Sequence, residues 1–158
     1  MQKKAIEIFV KNEFEKPKKI KLEKTKNKKI KIGYYSSDFH NHATMYLMAN
    51  LFELHDKNKF ETYAYSFGPD DGSKIRKRVM KTFDKFFDVK LKTTKEIVQH
   101  SRELNLDIAV DLKGFTNNNR FDLFIERCAP IQISYLGFPG TTSSNCICLL
   151  YTSPSPRD

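Results

Sequence analysis

Residues 30–147 predict an α/β domain, a Rossmann-like parallel sheet with helices on both faces. Three observations support this. Short apolar or alternating runs recur as strand candidates. Amphipathic stretches with helical spacing fall between them. Turn-forming residues separate the two kinds of segment throughout.

The first strand is the alternating run that opens at Ile30 and ends in the loop Ser36-Ser37-Asp38. A helix is predicted over residues 43–54. Met45, Met48, Ala49 and Phe52 repeat at helical spacing, with Leu47, Leu51 and Leu54 widening the buried face. Residues 60–67, rich in Tyr and Thr, read as the second strand, and Gly68-Pro69-Asp70-Asp71-Gly72 reads as a turn. Residues 73–83 suit a helix with Ile75, Val79 and Phe83 on one face, and 86–89 a short strand. Residues 94–104 suit a helix capped by Thr94. Residues 106–112 form a compact apolar run carrying Asp107 and Asp111, a buried strand. Asn118 or Asn119 would cap a short helix over 120–127, and 131–136 reads as a last strand.

Composition limits the function classes. The chain has 158 residues, 39% hydrophobic and 13% aromatic, which is too apolar for a disordered protein. No apolar run approaches the roughly 20 residues that cross a bilayer, so no membrane span is expected. The first residues lack the apolar block of a secretory signal, and the 3 cysteines show no disulfide framework. A cytoplasmic location is the expectation. The net charge of +9 is uneven: residues 1–31 hold 12 Lys against 4 Glu, a net +8, which leaves +1 for the rest. Residues 5–14 suggest the end of a helix, and 18–29 a charged linker. No arginine or aromatic residue interleaves with the lysines of 16–31, so a solvated flank is expected and nucleic acid is not an expected partner.

In a parallel sheet with this alternation, ligands sit beyond the carboxyl ends of strands. Three loops fall there. The first, residues 36–44, carries Asp38, two histidines (His40 and His42) and hydroxyls, and enters a helix N-terminus suited to an oxygen-rich ligand. The plainer reading is a helix cap by Asn41 with two surface histidines. The second, Asp111-Leu112-Lys113-Gly114-Phe115-Thr116, has a glycine for a tight turn or close ligand approach. The third, Leu136-Gly137-Phe138-Pro139-Gly140-Thr141, signals a turn by itself. Cys146 and Cys148 lack supporting histidines and Cys128 stands apart, so no metal site is expected. No G-x-x-x-x-G-K, G-x-G-x-x-G or G-x-S-x-G motif occurs.

Taken in order, these loops resemble the O-linked N-acetylglucosamine transferase (SPINDLY) family. The matching text includes Ile32-Gly33-Tyr34-Tyr35-Ser36-Ser37-Asp38-Phe39, Asn41-His42, Leu47-Met48, Phe60-Glu61 with Tyr65, and Pro69-Asp70-Asp71-Gly72. It continues in Val110-Asp111-Leu112-Lys113-Gly114-Phe115-Thr116, Ala129-Pro130-Ile131-Gln132 and Leu136-Gly137-Phe138-Pro139-Gly140-Thr141. Ala43 stands where the family usually has proline. The resemblance implies the N-terminal lobe of a GT-B glycosyltransferase. It implies an enzyme of two Rossmann-like lobes and transfer of sugar from a uridine-diphosphate donor to a protein hydroxyl, with inversion and without a metal or other cofactor. It implies His42 as the catalytic residue, an imidazole able to accept or relay a proton. It implies a cleft lined by Asp38, Asn41, Thr44, Lys113, Gly114, Thr116, Gly137, Pro139, Gly140 and Thr141. The partners implied are a protein or peptide acceptor and UDP-N-acetylglucosamine or a related UDP-sugar. The family's donor-binding lobe would follow this one and tetratricopeptide repeats would precede it, so the chain alone is expected to be inactive.

Residues 1–29 are thus expected to be a helix remnant and linker, and 30–147 the lobe. Residues 148–158 depart from the family's continuation. They read as an in-frame translation of the mosaic-end adapter of transposase-based DNA libraries, and a natural Ser/Pro-rich tail is the alternative. Two other functions suit the same fold: N-glucosyl transfer from UDP-glucose to asparagine, and a non-catalytic Rossmann-like binding module.

Overall fold

The computed structural model describes residue 8, residues 27–138 and 144–147, and the backbone of 149–151. Of the helix expected at 5–14 only Ile8 is described, and it is helical; the remainder and most of the Lys-rich linker lie outside the described residues. Among the described residues no helix is long and apolar enough to cross a membrane.

Among the described residues, six strands form one all-parallel sheet: β1 (Ile30–Ser36), β2 (Phe60–Ser66), β3 (Lys85–Asp88), β4 (Ile108–Asp111), β5 (Ile131–Tyr135) and β6 (Leu149–Tyr151). Their spatial order is β3-β2-β1-β4-β5-β6. The direction of winding reverses between β1 and β4, where the loops leaving the two strands diverge and open a crevice. In register, Tyr35 pairs with Asp111 there, and Ser36 with Ser66 on the other side. The sixth strand was not anticipated: three residues of the segment expected to be foreign pair in parallel with β5.

The strand pleat sends alternate residues to opposite faces, and each face has its own core. On one, Ile32, Tyr34, Ala64 and Val110 pack against α1 (Ala43–Glu53) and α2 (Lys74–Met80). On the other, Tyr35, Tyr63, Tyr65 and Ala109 pack against α3 (Thr94–Glu103) and α4 (Asp122–Ile125). The tyrosines fill a sheet face where Gly33 and Ala109 leave room. Tyr35 and Tyr65 stack at 4.5 Å, and the Tyr35 hydroxyl is satisfied by Ser101 Oγ at 2.7 Å.

Met45, Met48, Ala49 and Phe52 form the buried stripe of α1 as expected. Leu47 and Leu54 do not join it: they are 69% and 83% exposed, because that stripe alone covers the sheet. The cap of α3 is Thr93, not Thr94. Thr93 accepts from the Glu96 amide and Glu96 bonds back, a complete capping box. Thr94 Oγ1 instead donates to Asp122, tying α3 to α4. α4 is shorter than expected, and its N-cap residue, Phe121, makes no side-chain cap; Asn119 Oδ1 accepts from the Phe121 amide, and Asn118 takes a left-handed turn (φ 57°).

Candidate functional site

The loops at the carboxyl ends of the strands are built from short polar contacts within the chain. After β1, Ser36 Oγ accepts from the Asp38 amide at 2.9 Å and Ser37 Oγ donates to Asp38 Oδ1 at 3.1 Å. The Asp38 carboxylate is buried and faces Lys113 from the loop after β4, with Lys113 Nζ 3.0 and 2.9 Å from its two oxygens. Lys113 is held there by Asp111, whose two carboxylate oxygens accept from the Lys113 amide at 2.9 Å and the Gly114 amide at 3.0 Å. Burial pushes the Asp111 carboxyl up to about 6, against the lowering effect of those two amides and the Lys113 charge.

His42 stands at the far end of this relay, its Nδ1 3.6 Å from Asp38 Oδ2. His42, not Asn41, caps α1: its Nδ1 accepts from the Thr44 amide at 3.2 Å and lies 3.1 Å from Thr44 Oγ1. With Nδ1 committed to that amide, a neutral ring carries its proton on Nε2. Thr44 is buried and spends its polar atoms on His42. Asn41 turns outward, its Oδ1 accepting from Tyr46 Oη at 2.9 Å.

The Asn41 amide donates to Asp71 Oδ2 at 2.8 Å, while Asp71 Oδ1 accepts from Ser73. These bonds hold the Asp71 carboxyl down at about 2, the Asn41 amide being the largest cause. The Pro-Asp-Asp-Gly turn therefore braces the histidine loop. Arg76, from the first turn of α2, braces it from below. Its side chain is only 2% exposed; Nη1 donates to the Phe39 carbonyl at 2.7 Å and to Ser66 Oγ at 3.3 Å. Nε lies 2.9 Å from Asp70 Oδ1, an ion-pair contact poorly aligned for a hydrogen bond, and the guanidinium lies 5.1 Å from the Phe86 ring centroid.

The second and third loops pack on each other. Thr116 Oγ1 turns inward to the Lys113 carbonyl at 2.8 Å. Gly114 has φ +55° and leaves no room for a Cβ beside Phe138, and a Cβ at Gly137 would strike the Leu112 carbonyl. Of the expected lining residues, Pro139, Gly140 and Thr141 lie outside the described residues. The structure thus joins Asp38, His42, Thr44 and Lys113 in one network, with Gly114 and Thr116 shaping its edge.

A cleft of about 440 Å³ opens beside this network, bounded by Asp38, His40, Gly68, Pro69, Lys90 and Asn118. His40, Gly68, Pro69, Lys90 and Asn118 are not among the expected lining residues. The rule that ligands sit at strand carboxyl ends applies equally to the loops after β2 and β3, and would have found Gly68, Pro69 and Lys90. Burial pushes the Cys128 thiol up to about 12, which removes it as a nucleophile. Among the described residues no cluster of His, Cys, Asp and Glu could hold a metal.

A doubly wound lobe with a polar crevice at its switch point defines the class: a Rossmann-like lobe with a ligand cleft at the strand ends. The chain belongs to glycosyl transferase family 41, whose family model matches residues 2–154. It is 35% identical over 125 residues to the probable UDP-N-acetylglucosamine–peptide N-acetylglucosaminyltransferase SEC of Arabidopsis thaliana, covering 79% of this chain and 13% of that protein. It is 31% identical over 117 residues to the UDP-N-acetylglucosamine–peptide N-acetylglucosaminyltransferase of Caenorhabditis elegans, covering 73% of this chain and 10% of that protein. The chain therefore spans about an eighth or less of the length of these relatives. A mutant O-GlcNAc transferase from Thermobaculum terrenum shares the fold, with a TM-score of 0.88 at 24% identity over 94% of this chain and 29% of that one. That likeness agrees with the expected GT-B lobe.

Proposed function

We propose that this chain is the acceptor-side lobe of an inverting, metal-independent glycosyltransferase that moves N-acetylglucosamine from a UDP donor to a protein Ser or Thr hydroxyl. The observation that carries this reading is His42 at the switch-point crevice, linked through Asp38 to Lys113, in a chain of family 41. In the reaction the hydroxyl oxygen bonds to the anomeric carbon, the bond to the diphosphate breaks with its electron pair going to the diphosphate oxygen, and the hydroxyl proton passes to that diphosphate or to water. His42 orients that hydroxyl. In the capping tautomer it presents Nε2–H, a donor to the acceptor oxygen. To take the proton at Nε2 the ring would first move its own proton to Nδ1, towards Asp38, and release the Thr44 amide. The charge on the departing diphosphate needs fixed cations; in our reading these come from a second lobe, and the 158-residue chain alone has no turnover.

The test uses the full-length enzyme. His42→Ala lowers turnover at least about tenfold with the fold intact. His42→Gln, whose amide nitrogen reaches the place of Nε2, retains most of the rate if His42 acts as a donor and none of this benefit if it is the base. Wild-type rates in the alanine variant would remove His42 from the mechanism, and turnover of UDP-N-acetylglucosamine by the isolated chain would overturn the two-lobe requirement. We also propose that residues 148–158 are foreign to the gene. Source DNA that continues through the codon for Ile147 into this tail would refute that.

A further inference from the structure

The near-neutral charge of residues 32–158 hides a concentration of cations on one helix. Lys74, Lys77, Arg78 and Lys81 follow the spacing i, i+3, i+4 and i+7 along α2 and its C-cap, and all are exposed. Ile75, Arg76 and Val79 form the opposite, buried face. A groove of about 650 Å³ runs between these residues and the end of α1. Its lining holds Lys57, Lys74, Lys77, Arg78 and Lys81 against one carboxylate, Glu53.

The nearby acids are already used. Glu53 takes a two-pronged contact from Arg78, with Nε and Nη2 each at 2.7 Å, and Asp84 takes Lys57 at 3.1 Å. The side-chain ammonium groups of Lys74, Lys77 and Lys81 make no hydrogen bond or ion pair among the described residues. Three free ammonium groups therefore line one groove over about 10 Å of helix. The groove starts near the cleft: Ser73 caps α2, and its neighbour Asp71 holds the Asn41 amide.

We propose that this groove binds an acidic segment of a polypeptide. The spacing favours that occupant, because carboxylates on a short extended stretch of Asp and Glu match ammonium groups about 5 to 10 Å apart. A nucleic acid is disfavoured on two grounds. No aromatic ring lines the groove for a base to stack on, and the only guanidinium is occupied by Glu53. A membrane surface is disfavoured because no apolar or aromatic side chain lines the groove to enter the lipid. If the transferase reading holds, the acidic segment belongs to the protein substrate, upstream or downstream of the modified hydroxyl. That link rests on the transferase reading; the binding does not.

The experiment is fluorescence anisotropy of a labelled oligoglutamate peptide titrated with the 158-residue chain. The unaltered chain should bind the peptide, more weakly as salt rises. Combined Lys74→Glu, Lys77→Glu and Lys81→Glu should weaken binding by about tenfold or more. Because the N-terminal flank is also basic, a second variant carries Lys18→Gln, Lys19→Gln, Lys21→Gln and Lys24→Gln, and should bind within about threefold of the unaltered chain. A triple Lys→Gln version at 74, 77 and 81 gives the same direction with less perturbation, and circular dichroism checks that each variant is folded. Undiminished binding by the groove variants would overturn the proposal. So would loss confined to the flank variant, absence of peptide binding, or tighter binding of an oligothymidylate of matched charge. Each of these outcomes is read without any measurement of sugar transfer, so it leaves the proposed reaction standing.

Discussion

The ammonium of Lys113 sits 3.0 and 2.9 Å from the two carboxylate oxygens of Asp38, 75 residues away in the chain, and both side chains are buried. The pair crosses the point where the sheet reverses its winding and closes the loop after β1 onto the loop after β4. Two charges out of water are tolerated only together. Lys113→Met should therefore cost about 3–5 kcal/mol, since it leaves the Asp38 carboxylate buried without its counter-charge. Asp38→Asn combined with Lys113→Met should cost clearly less than the two single changes added together. Urea unfolding of the four chains measures this. Simple additivity would mean the two residues do not act as a pair.

Asp111 leads to a stability that depends on pH. Its carboxyl is pushed from 3.8 up to about 6, chiefly by burial. Between those values the folded chain holds a proton that the unfolded chain has released. Stability from this group is thus fully present below about pH 4 and is lost as pH rises through about 6. Asp111→Asn cannot titrate. It also gives up one of the two amide contacts, a loss that does not vary with pH. The stability of the unaltered chain relative to Asp111→Asn should accordingly fall by about 1–3 kcal/mol between pH 4 and pH 7 and be flat above that. A difference that is constant from pH 4 to 7, or that grows with pH, would contradict the buried placement.

Much of the fold was legible because periodicity and burial agree. The strand over 60–66 and the Met45, Met48, Ala49 and Phe52 stripe of α1 follow from local pattern alone. Leu47 and Leu54 misled because their apolar character says nothing about the width of the sheet beneath the helix. β6 was missed because it lies in residues 148–158, which read as foreign to the lobe, and only its pairing with β5 defines it. In the site, the residue types of the histidine loop were legible, but not their division of labour. Asn41 and His42 can both cap a helix, and the choice depends on Asp71 taking the Asn41 amide from 30 residues away. Arg76 gave no local signal at all. An arginine in a Lys-Ile-Arg-Lys-Arg run reads as solvent-facing until the turn of the helix points it inward.

Arg76 is the next test of that bracing. Its guanidinium reaches the Phe39 carbonyl, Ser66 and Asp70 at once, and Asp88 more loosely at 3.5 Å. A lysine keeps the charge but has one nitrogen for these directions. Arg76→Lys should lower stability by about 2–4 kcal/mol, with some acceptors left unsatisfied in a buried place. The loss should be felt in the histidine loop, so hydrogen exchange at the Met45 amide, which bonds to the His42 carbonyl at 3.0 Å, should speed up beyond the global change. Equal protection of that amide in both chains, corrected for stability, would show that Arg76 serves α2 alone.

Gly68 separates the effect of space from that of backbone conformation. A Cβ there would stand 1.8 Å from the Ser37 carbonyl oxygen, a backbone atom that can yield only by moving the β1 loop. Gly72, four residues on, has the opposite problem: a Cβ would meet nothing within 4 Å, but φ is +63°. Gly72→Ala should then cost about 1–2 kcal/mol, the conformational penalty alone, and leave the cleft unchanged. Gly68→Ala should cost about 1–3 kcal/mol and also push apart the loops after β1 and β2 that bound the cleft. The imidazole resonances of His40, which lines that cleft, report the difference by NMR. They should shift in Gly68→Ala and stay in place in Gly72→Ala. Shifts of equal size in both variants would mean that the close approach of Gly68 to Ser37 does not set the shape of the cleft.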